Sequence, residues 1–156
     1  MNDYFRASLP LDELAARQGQ EMVSRWFPIT QERVNAFAEA TEDRYFIHTD
    51  PARAQAETPW GGTIAHGFLT ASLLSAMAYD AVPRVQEARH GVNYGFDRLR
   101  FVAPVPVGSN VRGRFRLDKL DRSDPGEVTL RWSVTVEIEG AAKPAIGAQW
   151  ITRQFL

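Results

Sequence analysis

The 156-residue chain contains no cysteine. That excludes a disulfide framework, a thiolate nucleophile and any zinc site built on thiolates. Charge of either sign is not in excess, since 18 Lys and Arg stand against 19 Asp and Glu for a formal net charge of -1. A protein that grips a phosphate backbone gathers a basic surplus on one face, so nucleic acid is not an expected partner. Long hydrophobic runs are also missing. The longest uncharged apolar stretch without a histidine, Gly67 to Tyr79, has 13 residues, whereas a membrane-spanning helix needs about 20. The opening MNDYFRASLP carries Asp3 and Arg6 and no apolar core, unlike a secretory signal. A cytoplasmic protein with no membrane association is expected. Familiar catalytic signatures are absent too: no phosphate-binding Walker motif, no GxGxxG, no GxSxG and no HExxH.

What is present reads as one domain over 1–156, with 44% hydrophobic residues to build a single core. The first half has helical spacing. Leu11, Leu14 and Ala15 form a short amphipathic turn ending at Gly19, and Glu21 to Ile29 reads as extended. Thr30 can cap a helix carrying Val34, Phe37, Ala38 and Thr41 on one face and ending near Glu42. Asp43 to Thr49 reads as a loop. Asp50 followed by Pro51 is a cap with proline at the first helical position, opening a helix to about Ala56. Ile64 to Ala78 is apolar or small on every side, so the pattern predicts one helix without a solvent face. The second half changes to a period of two. Val111 to Leu117 and Val128 to Ile138 alternate apolar with polar residues, and Leu99, Phe101 and Ile146 to Trp150 supply further strands. Turns are expected at Pro104 to Asn110, Ser123 to Gly126 and Glu139-Gly140. Helices followed by antiparallel strands indicate an α+β fold, with a curved antiparallel sheet wrapped around the apolar helix. Such a sheet has an edge to cover, and pairing of the long strand Val128 to Glu139 with a second copy predicts a homodimer.

Two segments can carry chemistry. The first, Thr41-Glu42-Asp43-Arg44-Tyr45-Phe46-Ile47-His48, sets a carboxylate and an imidazole five residues apart. Together Asp43 and His48 could hold a water and move its protons near neutral pH; equally, Asp43 could close a turn while His48 packs among Tyr45 and Phe46. The second is Ile64-Ala65-His66-Gly67-Phe68 at the start of the apolar helix. Gly67 could let a carbonyl approach the positively polarised N–H groups of a helix start, or could merely allow close packing. His66 reads as a structural residue paired near that start. His48, His66 and His90 lie 18 and 24 residues apart, a spacing unlike that of zinc ligands, so no metal is expected.

These residues resemble the MaoC-like dehydratases, which include the (R)-specific enoyl-CoA hydratases of hot-dog fold. Asp43 and His48 match that family's catalytic pair at its spacing, followed by Asp50, Pro51 and Ala52. GGTIAHGFLTASLL and NYGFDRLRFVAPVPVGS resemble its second and third blocks. Glu42 stands where glycine is usual, and Tyr45-Phe46 replaces Asn-Pro. The resemblance implies a hot-dog domain that reversibly hydrates a trans-2-enoyl thioester, acyl-CoA or acyl-carrier, to the (R)-3-hydroxyacyl thioester. Asp43 and His48 would activate water, and the Gly67 N–H would polarise the thioester carbonyl. Ser75, two turns further along, could face the site or bond its own backbone. No cofactor is implied, coenzyme A being part of the substrate. A hot-dog thioesterase and a non-catalytic acyl-thioester-binding subunit are the alternatives.

Overall fold

Alternation in the second half of the chain becomes four long strands: β5 (His90–Phe101), β6 (Asn110–Asp121), β7 (Glu127–Ile138) and β8 (Ile146–Phe155). The computed structural model describes residues 4–122 and 125–156. Asp3, and Ser123 and Asp124 of the expected turn, lie outside the described residues. Ahead of these strands come β1 (Ser8–Leu9), α1 (Leu11–Ala16), β2 (Glu21–Val23), β3 (Phe27–Pro28), α2 (Gln31–Thr41), α3 (Phe46–Thr49), α4 (Pro51–Glu57), α5 (Gly67–Ser72), α6 (Leu74–Ala81) and β4 (Arg84–Val85). The main sheet is antiparallel in the order β2-β6-β7-β8-β5, with β3 also on β6; β1 and β4 form a separate parallel pair.

One face of the sheet carries the core. Val128, Leu130, Trp132, Val134, Val136 and Ile138 of β7 are all buried, as are Val111, Phe115 and Leu117 of β6. Each such side chain contributes roughly 1.5–3 kcal/mol by leaving water. The Trp132 indole N–H donates to the Thr152 hydroxyl at 3.1 Å, so the ring is buried without an unsatisfied donor. Gly113 interrupts the β6 pattern for a steric reason: a Cβ there would lie 2.6 Å from the Phe115 ring and 3.1 Å from Met77 Cβ. The missing side chain is what lets α6 sit down on the sheet. Register shifts between Asn93 and Gly95, Phe96 and Arg98, and Leu117 and Lys119 bend the sheet around the helix. This is the α+β hot-dog architecture expected.

Local signals in the first half work as read. The Thr30 hydroxyl accepts from Arg33 N–H, and an Asp50 carboxylate oxygen accepts from Arg53 N–H. Several expectations are corrected. Asp43 to Thr49 is not all loop, because Phe46–Thr49 closes into α3. The apolar helix starts only at Gly67 and bends at Leu73, which keeps a bond to Leu69 on one side and one from Met77 on the other. The Ser72 hydroxyl bonds back to the Phe68 carbonyl at 2.7 Å, a contact that bends helices. Nor is that helix dry all round within the chain. Phe68, Ser72 and Tyr79 form one exposed stripe, Phe68 being 68% exposed. The strand Val128 to Glu139 is not an edge: β7 lies between β6 and β8, and the long free edge is β5.

Candidate active site

The loop from α2 to α3 hangs over the start of α5. It turns at Glu42, which has φ 64°, a left-handed conformation that glycine adopts freely and other residues adopt at a cost. This accounts for the residue type usual at that position. Beyond the turn, α3 is pinned to the segment before α5. Ile64 N–H bonds the Ile47 carbonyl at 3.0 Å, Ala65 N–H bonds the Val105 carbonyl at 2.8 Å, and the Gln31 side chain donates to the His48 carbonyl at 2.7 Å while accepting from the Thr63 hydroxyl.

These contacts hold His48 buried against the helix start. Its Nδ1 lies 2.7 Å from the Ile64 carbonyl. A carbonyl only accepts, so Nδ1 carries the hydrogen and Nε2 is left with a free lone pair. Burial pushes the imidazole below its ordinary pKa; the Ile64 hydrogen bond opposes this, His66 adds to the lowering and Asp43 counters it. His48 is therefore a base, not a cation, at neutral pH.

Asp43 is exposed, with its carboxylate within 4.8 Å of the His48 and His66 ligand nitrogens. The His66 and His48 rings stack at 3.8 Å between centroids, and His66 Nε2 lies 2.9 Å from the Asp43 main-chain carbonyl. Among the described residues, Asp43, His48 and His66 are the group whose ligand atoms lie close enough together to hold a cation. Two of the four ring nitrogens face main-chain carbonyls, which leaves one nitrogen on each ring to share a water and its protons with the Asp43 carboxylate. His90 lies elsewhere, stacked on Phe155.

His48 and Gly67 share the wall of a cavity of about 390 Å³, lined also by Phe68, Phe101, Val102, Val105 and Ile146. Gly67 is the first residue of α5, where an N–H has no acceptor within the helix. A Cβ on Gly67 would lie 2.9 Å from the Phe101 ring, so close packing against that ring is also real. Ser75 is not brought to this cavity. It accepts from the Asn93 side chain at 3.2 Å and lines a second cavity of about 350 Å³ with Tyr79, Trp132 and Trp150. It is Ser72, not Ser75, that bonds its own backbone.

A MaoC-like domain model matches residues 13–138. The chain belongs to the MaoC-like dehydratase family. Among its relatives, nodulation protein N of Rhizobium leguminosarum bv. viciae is 48% identical over 145 residues, covering 92% of this chain and 90% of that one. The 3-hydroxyacyl-thioester dehydratase Z of Mycobacterium tuberculosis is 46% identical over 142 residues, covering 90% and 93%. Of solved structures, the (R)-hydratase from A. caviae superposes with a TM-score of 0.69 at 28% identity over 86% of this chain and 94% of that one. The MaoC-like dehydratase from Rhodospirillum rubrum shares the fold, with a TM-score of 0.77 at 18% identity over 95% and 97%. Among the described residues no helix is long and apolar enough to cross a membrane. Gln31 and Thr63, which brace His48, carry no sequence signal; the His66 contacts show only once residues 23 positions apart are brought together.

Proposed function

We propose that this MaoC-like domain reversibly hydrates a trans-2-enoyl thioester, carried by coenzyme A or an acyl carrier, to the (R)-3-hydroxyacyl thioester. The observation that carries the reading is that His48, buried and neutral with its Nε2 lone pair free, and Gly67, whose N–H opens α5, line one apolar cavity, with the Asp43 carboxylate within 4.8 Å of a His48 ring nitrogen. Asp43 and His48 hold the water. Its oxygen bonds to C3, the C2–C3 π electrons move toward the thioester carbonyl, and the Gly67 N–H receives the negative charge building on that oxygen. A proton returned to C2 completes the addition of one water. The thioester itself makes C2 acidic, so the step calls for no metal or redox cofactor. The dehydratase name of a relative 46% identical supports the same chemistry.

The working unit in this reading is a homodimer paired along β5. That strand is a 12-residue free edge, and Val92, Tyr94 and Phe96 on it are exposed. An exposed edge with apolar side chains is an aggregation liability unless a partner covers it. Sedimentation at about twice 17.5 kDa is expected, and a stable, fully active monomer at sub-micromolar concentration would remove the dimer.

The test of function is the conjugated enoyl absorbance of crotonyl-CoA, which should fall on adding the protein while no free thiol appears. Thiol release from a saturated acyl-CoA would favour a thioesterase. An unchanged enoyl signal across short, medium and long chains would leave a binding subunit.

A further inference from the structure

His66 is 2% exposed, and its ring packs on His48 at 3.8 Å and on Phe37 at 5.1 Å between centroids. Its Nε2 faces the Asp43 carbonyl at 2.9 Å, which places the ring hydrogen on Nε2. Nδ1 is buried with no hydrogen-bond partner among the described residues. A buried polar atom left unpaired is a cost that leucine or phenylalanine at this position would not carry, so packing alone does not call for histidine here. What histidine supplies is the donor to Asp43. Among the described residues no other hydrogen bond ties Asp43 to the rest of the fold, and its loop leaves α2 through the left-handed turn at Glu42.

We infer that His66 is a positioning residue, a clamp that ties the Asp43 loop to the start of α5 and sets the plane in which His48 presents Nε2 to the cavity. The inference rests on the hydration reading. One side chain thereby keeps the carboxylate, the imidazole and the Gly67 N–H in register, although the three come from two separate segments. Displacing a reacting group by about 1 Å can cost on the order of 100-fold in rate, which is the scale of effect a lost clamp should have.

Three variants separate the clamp from simple packing. In His66→Gln the amide nitrogen takes the place of ring Nε2 and can still donate to the Asp43 carbonyl. His66→Asn stops short of it, and His66→Phe keeps a ring but has no donor. On crotonyl-CoA, His66→Asn and His66→Phe should lose about 10- to 100-fold in kcat with KM within about twofold, and His66→Gln should recover to within about fivefold of the native enzyme. Amide hydrogen exchange at Arg44 and His48, whose N–H groups bond the Glu42 and Tyr45 carbonyls on either side of Asp43, should quicken in the first two variants and stay native in the third. Native kcat in His66→Asn or His66→Phe, or a His66→Gln as impaired as they are, would overturn the clamp. So would failure of all three to fold, because a local tether does not decide the fold. If the native protein leaves crotonyl-CoA untouched, the hydration reading falls separately, and the exchange data alone decide: unchanged exchange in His66→Asn rejects the clamp.

Discussion

Gly67→Ala separates the two roles open to Gly67, space for Phe101 and access to a helix-start N–H. The added Cβ would sit 2.9 to 3.1 Å from three atoms of the Phe101 ring, against an optimum of about 3.5–4.0 Å for carbon pairs. The ring must therefore give by roughly 0.6 Å. In a rigid core, overpacking of this kind costs about 1–3 kcal/mol, but Phe101 is 47% exposed at a strand end and can swing outward. Alanine also gains up to about 1 kcal/mol of helix propensity over glycine. The two nearly offset, so thermal unfolding should move by no more than about 4 °C. Gly67 lines the cavity, so a methyl group there should crowd the approach to the first N–H of α5, and losing one oxyanion donor costs about 10²–10³ in kcat. Enoyl hydration by Gly67→Ala should fall by that factor at near-native stability. The companion is Gly67→Ala combined with Phe101→Leu, which removes the steric conflict and should remain as slow as Gly67→Ala. If the double variant instead regains the activity of Phe101→Leu, Gly67 is only a packing residue and its N–H has no part in the chemistry.

Asp43→Asn and His48→Gln should each lower kcat by on the order of 10²–10⁴, and together should be little worse than either alone; near-additive losses would show that they do not act on one water. Because burial holds the His48 pKa below its ordinary value, the acid limb of kcat/KM should lie below about pH 6.5 and vanish in a comparison of His48→Gln across the same range. The same shift links to stability. As pH falls through about 6.5 the unfolded chain takes up a proton at this residue before the folded one does, so stability attributable to His48 is intact above that pH and declines below it; denaturant midpoints for native and His48→Gln between pH 5 and 8 check the sign. Gly113→Ala should cost about 1–3 kcal/mol, since its Cβ meets the fully buried Phe115, and differential scanning calorimetry should show a fall of several degrees. Glu42→Gly should raise stability by about 1 kcal/mol by removing a non-glycine residue from φ 64°, with hydration rates kept; a loss of activity there would mean the Glu42 side chain itself contributes.

The elements governed by local physical chemistry were legible in the amino-acid order. Period-two burial on β6 and β7 and the Thr30 and Asp50 caps all depend on neighbours within a few residues, and each stands where its pattern places it. The spacing of Asp43, His48 and Gly67 was likewise readable as a motif, although not the choice between packing and chemistry. Tertiary structure decided the rest, because the deciding partners are far away in sequence. Which strand is the edge depends on non-local pairing order, and alternation alone cannot tell the central β7 from an edge; the free strand is β5, whose residues are exposed on both faces. Ser75 has the helical phase to face either cavity, and Asn93 from β5 fixes it in the second. The helix from Gly67 is apolar all round because apolarity records what a residue can bury, not what lies against it, so its Phe68 and Tyr79 stripe shows as uncovered only in the folded chain. His66 meets Asp43 across 23 residues, a contact made by the overhang of one loop on one helix start and by nothing in either segment alone.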